Sequence, residues 1–212
     1  NEQTWGLEKL QGSAHITPKR IDSNIDLHAY FPRVLNLSWK TTGKPANYQL
    51  QIIATGKHTH FKVSGTGSLT QLKLHTIESK LWGGKLTGDT NIRWLPDLQW
   101  NLKWNTLNID PARVWANNKT FIRLPTRISG MIRGQGDNKT TKIQWSKLKV
   151  NLYNHSLKSY GLLHLIDNKI HNINIKAFSK AGNINVNGLY KDHWQLKWHI
   201  NIKNLLIISP FL

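Results

Sequence analysis

Side chains that could carry chemistry are few and scattered along this chain of 212 residues. His58 and His60 are two residues apart, which would place both imidazoles on one face of a strand, a spacing that can hold a metal. No acidic or thiol ligand lies beside them, so a solvated pair is favoured and no metal site is predicted. The closest acidic pair, Asp22 and Asp26, lacks the glycine and histidine neighbours of a catalytic site.

Sequence motifs of enzymes are absent as well. The chain has no Gly-x-Ser-x-Gly elbow, phosphate-binding loop or dinucleotide fingerprint, and Gly65-Thr66-Gly67 is interpreted as a hairpin. Its cysteine count of zero excludes disulfides, thiol catalysis and thiolate zinc sites. We therefore expect a protein that is not an enzyme, with no catalytic residues and no cofactor.

The charge is the strongest compositional signal. The net charge is +18, from 29 Lys and Arg against 11 Asp and Glu. An excess of this size favours an anionic partner such as nucleic acid, an anionic membrane surface or an acidic protein. Lysines on solvated faces explain the composition equally well, so charge alone leaves the choice open.

Strict alternation of apolar and polar residues dominates the local pattern and predicts β-strands with one dry face and one wet face. In the clearest case Leu98, Trp100, Leu102 and Trp104 share a face, and a second run from Trp194 to Ile202 predicts a strand of nine or ten residues. Shorter copies occur at Leu35–Trp39, Tyr48–Ile52, Leu148–Leu152, Ile173–Ile175 and Ile184–Val186. The sequence thus predicts an all-β chain.

Turn signals between these runs are typical of an antiparallel meander. They lie at 43–45, 55–57, 65–67, 83–84, 134–137, 167–168 and 181–182. A single helical turn is predicted at 110–114, where aspartate can cap and proline can start a helix.

No run of residues is long and apolar enough for a membrane-spanning helix. Neither end of the sequence is typical of a mature protein. We therefore interpret residues 1–212 as a single repetitive β segment of a longer protein.

An apolar sheet face that no helix covers must be covered in another way. The sheet can pack on a second sheet, close into a barrel, or curl into an open trough whose lining is completed by an apolar ligand. Periodicity alone favours the β-sandwich.

An internal repeat shifts this balance towards hairpin units in series. Gly84-Lys85-Leu86-Thr87-Gly88 leads to Trp100-Asn101-Leu102-Lys103-Trp104 and ends at Asp110-Pro111. Later, Gly182 to Gly188 leads to Trp194-Gln195-Leu196-Lys197-Trp198 and ends at Ser209-Pro210.

These motifs resemble the TamB family of the Gram-negative envelope, a branch of the AsmA-like group, from about Phe61 to Leu212. The matching segments are the glycine-pair strand entry Trp82–Gly88, the tryptophan strand Pro96–Leu102, the Asp-Pro exit Leu107–Pro111, and the closing pattern Asp192–Trp198 with Asn204-Leu205 and Pro210. Each motif is weak alone, and their order carries the resemblance.

The resemblance implies a long, curled, taco-like antiparallel sheet that forms an open groove with an apolar interior. It implies a protein of the periplasm, anchored in the inner membrane, that bridges the periplasm and shelters phospholipid acyl chains on their way to the outer membrane. The implied partner is the outer-membrane protein TamA, and the alternative role is a scaffold that assembles outer-membrane proteins such as autotransporters.

The residues expected to line the groove alternate along the predicted strands, and in a sandwich the same residues would be plain core. They are Trp94, Leu98, Trp100, Leu102, Trp104, Ile173, Ile175, Ile184, Val186, Trp194, Leu196, Trp198 and Ile200. Nucleic-acid binding is disfavoured because single-strand binders need aromatic rings and cations on one surface, whereas alternation sends Trp104 and Lys103 to opposite faces.

Overall fold

The strands that alternation predicts join into one antiparallel sheet in the computed structural model of the protein. The structure describes residues 6–30, 34–110, 126–152, 155–167, 169–190 and 193–204. Over these residues fourteen strands pair in their order along the chain. They are β1 (Gly6–Ile16), β2 (Ile21–Tyr30), β3 (Val34–Lys44), β4 (Asn47–Gly56), β5 (Thr59–Gly67), β6 (Gln71–Leu81), β7 (Gly84–Arg93), β8 (Gln99–Ile109), β9 (Thr126–Asp137), β10 (Thr140–Leu152), β11 (His155–Ile166), β12 (Lys169–Ser179), β13 (Gly182–Tyr190) and β14 (Trp194–Ile202).

The sheet is curled and open, as the taco-like prediction required. Neither an α-helix nor a second sheet covers it within the described ranges. Leu50, Val63 and Leu86 are nevertheless only 3%, 4% and 5% exposed. A flat single sheet would leave one whole face in water, so these side chains are covered by neighbours on the same curled face. The structure thus shows the trough and not the sandwich that periodicity alone favoured.

β-Bulges contribute to the curvature. Asn108 on β8 and Lys147 on β10 have positive φ angles of 55° and 53°. The pairing register shifts beside both, between Thr106 and Ile109 and between Trp145 and Leu148. A bulge places an extra residue in one strand, which bends that strand and increases its twist. The bending is therefore built into the strands around β9.

Short hairpins connect the strands. The turn between β6 and β7 has positive φ at both Trp82 (49°) and Gly83 (80°), which suits the twist of a two-residue hairpin. Between β9 and β10, the Asp137 carboxylate accepts hydrogen bonds from the backbone N–H groups of Lys139 (2.8 Å) and Thr140 (2.7 Å). These bonds stabilise the charged form and lower the pKa of Asp137.

Two predicted turns are wrong. Residues 65–67 lie within or at the end of β5, and residues 134–137 lie within β9; the turns follow at 68–70 and 138–139. Their glycines serve a different purpose, because they face large side chains of neighbouring strands. A Cβ at Gly67 would overlap the Tyr48 ring, and one at Gly134 would lie 2.9 Å from the Trp100 ring. A glycine within a strand often marks such a close approach.

Other sequence predictions have mixed outcomes. β14 has nine residues, as predicted. His58 lies in the turn before β5 and His60 lies within that strand, so the two histidines do not share a strand face. The predicted helical turn at 110–114 lies outside the described residues except for Asp110, whose backbone N–H donates to the Trp82 carbonyl (3.1 Å). No helix in the described ranges is long and apolar enough to cross a membrane.

Candidate functional site on the apolar face

One side of the sheet, here called the apolar face, carries Trp100, Leu102 and Trp104 of β8; the opposite side is called the outer face. Directly paired residues of antiparallel strands point to the same side, so the pairing register carries the apolar face from strand to strand. It continues through every strand, as one member from each shows: Leu10, Ile25, Leu37, Ile52, Val63, Leu74, Ile92, Leu102, Ile132, Ile143, Leu163, Ile173, Val186 and Trp198.

At the paired positions of the described strands, formal charge is confined to the outer face. At the paired positions of the described strands, no Asp, Glu, Lys or Arg lies on the apolar face. On the outer face Lys103 is directly opposite Arg133, and Lys149 is directly opposite Lys158. The separation of apolar from charged groups is therefore complete at these positions.

The structure places eleven of the predicted lining residues in strands at positions of the apolar face. They are Trp100, Leu102, Trp104, Ile173, Ile175, Ile184, Val186, Trp194, Leu196, Trp198 and Ile200. The other two lie in the connection between β7 and β8. There Trp94 donates its indole N–H to the Leu69 carbonyl oxygen (2.6 Å) and Leu98 comes just before β8. Trp94 and Leu98 thus belong to the rim.

One cross-strand row joins the two predicted tryptophan strands. From Trp104 the row passes through members of β9 to β13 and ends at Trp198. Its intermediate members are Ile132, Trp145, Gly161, Ile175 and Val186. Sequence reasoning missed Ile132 and Trp145. The alternation of Ile143 with Trp145 was a usable signal, whereas Ile132 comes just before the turn predicted at 134–137 and was not assigned to a strand.

Three of the indole N–H groups on this face donate to hydroxyl groups of the sheet. Trp39 donates to the Thr41 hydroxyl (2.7 Å), Trp104 to the Thr90 hydroxyl (3.0 Å) and Trp145 to the Ser159 hydroxyl (3.0 Å). Each acceptor lies on the same face as its tryptophan. Donor and acceptor satisfy each other, so these polar atoms do not require water or a polar ligand.

Aromatic rings lie across glycines of neighbouring strands. A Cβ at Gly161 would overlap the Trp145 ring, and one at Gly88 would lie 2.8 Å from Trp104 Cδ1. Tyr48 covers Gly67 in the same way, and burial raises the pKa of its hydroxyl. Each of these rings fills the space over a glycine that a side chain would otherwise occupy.

The side chains of the apolar face are buried in the middle of the sheet and exposed to solvent towards its edges. Its most buried apolar side chains belong to β4, β5 and β7, whereas Leu7 on β1 is 59% exposed and Trp198 on β14 is 69% exposed. Large apolar side chains exposed in a row are unusual for a soluble protein and mark a surface that contacts something apolar. The face is therefore the candidate functional site.

A metal or catalytic centre has less support. In the part of the chain that the structure describes, no three His, Asp or Glu side chains are grouped closely enough to hold a metal ion. His75 pairs with Asp89 (2.5 Å) at exposed outer-face positions, and His28 of the outer face pairs with Glu8 (3.0 Å). Each pair joins one histidine to one carboxylate, and the described residues group no further His, Asp or Glu with it to complete a metal site.

Comparison with known protein families identifies the chain. Residues 22–212 match the model of the N-terminal domain of TamB. The match begins well before Phe61, where the motif resemblance starts, so it includes β2 to β5. Comparison with curated proteins and with solved structures gave no match. Because the family match covers most of the chain, this protein belongs to the TamB family.

Proposed function

We propose that this chain is a non-enzymatic lipid-binding segment that shelters phospholipid acyl chains on its apolar face. The observation that carries the proposal is an apolar face that continues over fourteen strands, has no formal charge at its paired positions, and is exposed towards β1 and β14, where no helix or second sheet of the described chain covers it. An acyl chain is the ligand that such a surface suits, since it offers no hydrogen bonds and needs none.

The free energy available is large. Each CH₂ group removed from water contributes about 0.8 kcal/mol, so a tail of about fifteen such groups could gain roughly 12 kcal/mol before the costs of ordering. The paired indoles Trp104 and Trp145 add no unsatisfied donor that would oppose burial of the tail. Smooth, uniform apolar lining also gives no deep pocket in which a tail would be held permanently.

The dimensions support movement along the face. Fourteen strands spaced about 4.8 Å apart give a contour of roughly 60 Å across the sheet. A single strand of eleven residues spans only about 35 Å. The long direction of the apolar face therefore runs across the strands, and we propose that lipid moves in that direction.

The family supplies the cellular setting. TamB proteins belong to the Gram-negative envelope and act in lipid transport and outer-membrane assembly. We propose that this chain is a periplasmic part of a protein that is anchored in the inner membrane and bridges towards the outer membrane, with TamA as its outer-membrane partner.

The test is lipid content after purification. Leu196→Asp places a charge on the apolar face of β14, where Leu196 is 55% exposed, so the fold should tolerate it. We expect this variant to retain much less phospholipid than the wild type, measured by solvent extraction and mass spectrometry. The matched control is Lys197→Asp, on the outer face of the same strand, which should retain wild-type amounts. Equal lipid content in both variants and the wild type would contradict the proposal.

A second candidate function is supported by the edges of the sheet. Among the described residues β1 and β14 each pair with a single strand, and an unpaired strand edge can add a strand from a client protein. This arrangement suits a scaffold for outer-membrane proteins. Proline substitutions along β14 should abolish client capture and spare lipid content; the reverse result would count against the scaffold.

A further inference from the structure

The outer face departs from its polar pattern at β11. Leu162, Leu163, Leu165 and Ile166 make this strand apolar on both faces, whereas the other strands keep mainly polar residues outside. Leu162 lies opposite Gln144 of β10, which places Leu162 on the outer face. A strand that is apolar on both faces is typical of a sheet that is covered on both sides. Something other than water is therefore expected outside β11.

Two aromatic rings continue this apolar area. Tyr160 of β11 and Phe178 of β12 meet edge to face, with ring centroids 6.3 Å apart and ring planes at 76°. Each side chain is 41% exposed on the outer face. Tyr160 is directly opposite Lys176, and Phe178 is directly opposite Lys158.

We call the area formed by Tyr160, Leu162, Phe178, Lys158 and Lys176 the β11–β12 patch. Its aromatic and cationic side chains alternate across the two strands, so both kinds of group are presented together. This arrangement is the opposite of that around β8, where tryptophan and lysine are on different faces.

The charge around the patch is uncompensated. Lys149 of β10 is directly opposite Lys158, and like charges in directly opposed positions destabilise a sheet unless an anion lies between them. Asp167 and Asp192 are the only acidic residues between positions 140 and 202. No ion pair joins two described residues of β10 to β14. The complement to this surface is therefore anionic.

We propose that the β11–β12 patch docks the protein on the surface of an anionic phospholipid bilayer. Tyr and Phe side chains insert at the boundary between headgroups and acyl chains, and the long lysine stems let their ammonium groups reach lipid phosphates. A protein partner fits less well, because a stable interface needs about 800 Å² on each side and a desolvated centre, which three apolar side chains do not supply. The inference goes beyond the proposed function, since it concerns the outer face and not the groove.

The experiment measures co-sedimentation of the 212-residue protein with vesicles of phosphatidylcholine alone and of phosphatidylcholine mixed with phosphatidylglycerol. We expect binding to the mixed vesicles only, weakened by salt. Replacing Lys149, Lys158 and Lys176 by Gln should weaken partitioning about tenfold or more, since each lysine near the surface contributes substantially. The matched control replaces Lys40, Lys73 and Lys80 by Gln. These lysines lie on the outer face of β3 and β6, so the control removes the same amount of charge away from the patch.

The aromatic part of the patch is tested separately. Tyr160→Ser combined with Phe178→Ser should weaken binding to the mixed vesicles at least severalfold at constant net charge. Leu107→Ser, at an exposed outer-face position of β8, is the control and should bind as the wild type does.

Each outcome decides the proposal. Selective loss of binding in the two patch variants supports it. Equal loss in the Lys40/Lys73/Lys80 control would mean that net charge alone attracts the bilayer, and unchanged binding in the patch variants would place the contact elsewhere; either result overturns the proposal. Binding to an acidic protein or an oligonucleotide but to no vesicle would overturn it as well. Phospholipid content of the same variants, which the groove determines, should stay at the wild-type level, so failure of docking and failure of the groove are distinguishable.

Discussion

At the scale of single residues, tryptophan serves this fold in a way that its size alone does not suggest. Trp145 lies across Gly161 of the next strand, and its N–H donates to the Ser159 hydroxyl. Trp104 repeats the arrangement with Gly88 and Thr90. The ring contributes apolar surface while its one polar group is satisfied within the sheet. A tryptophan held in this way can therefore contact acyl chains without an unpaired donor.

The cover of Gly161 by Trp145 leads to a prediction about stability. Gly161→Ala should lower the free energy of unfolding by about 1 to 3 kcal/mol, because the new methyl group would overlap the ring. Urea-induced unfolding followed by circular dichroism measures the change. In a Trp145→Ala background the same substitution should cost close to nothing, since the ring is absent. An equal cost in both backgrounds would show that the backbone, and not the ring, excludes a side chain at Gly161.

The hydroxyl partners of the indoles give a second prediction. Thr90→Val keeps the shape of the side chain but removes the acceptor for the Trp104 N–H, so we expect a loss of about 1 kcal/mol in unfolding free energy. Thr90→Ser keeps the hydroxyl and serves as the control. Thermal unfolding of the two variants in parallel measures the difference. The account of this pair is wrong if the valine variant is at least as stable as the serine variant.

At the scale of elements, hairpins fix the register that keeps the two faces separate. The Asp137 carboxylate holds the turn between β9 and β10 by accepting from the backbone N–H groups of Lys139 and Thr140 and from the Thr140 hydroxyl (2.9 Å). A slip of one residue at such a turn would send every following side chain to the opposite face. Local turn chemistry is therefore a condition for a continuous apolar face.

Asp137 also predicts a dependence on pH. Because the pKa of Asp137 is lowered in the folded protein, its contribution to stability is present above the unfolded pKa, near 4, and is lost as the pH falls through the lowered folded value. Asp137→Ala should therefore be less stable than the wild type at neutral pH, and the difference should shrink in acid. Urea unfolding at several pH values measures it. A difference that stays constant down to the lowest pH would contradict the role of the ionised carboxylate.

The sequence predicts the positions of the strands well and the structural roles of the glycines poorly. Alternation is a direct consequence of one wet and one dry face, so runs such as Trp194 to Ile202 are correctly recognised as strands. The glycines at 65–67 and 134–136 were assigned to turns because glycine permits turns. Gly67 faces the Tyr48 ring and Gly134 faces the Trp100 ring of a neighbouring strand, whereas Gly65 faces the backbone carbonyl of Lys73, and each of these contacts depends on the pairing register. Register is a property of two strands together, so no single run of residues contains it.

At the scale of the whole molecule, periodicity alone could not distinguish a trough from a sandwich. Both architectures bury one face of each strand, so both produce the same alternation. The order of the repeated motifs resembles the TamB family, and that resemblance favoured the trough over the sandwich. The family match agrees with the resemblance. The exposed apolar face at β1 and β14 shows why the distinction matters for function, since a sandwich would leave no such surface open to lipid.

The most direct test of the central claim is photo-crosslinking in cells with a photoreactive amino acid at Leu102 and at Trp198, both on the apolar face. The matched controls are Lys103 and Lys197, their neighbours on the outer face of the same strands. Our account predicts phospholipid adducts at the first pair and none at the second. Crosslinks from Leu102 and Trp198 to protein side chains alone would mean that the apolar face is covered by protein, and the proposed lipid-binding role of this segment would be wrong.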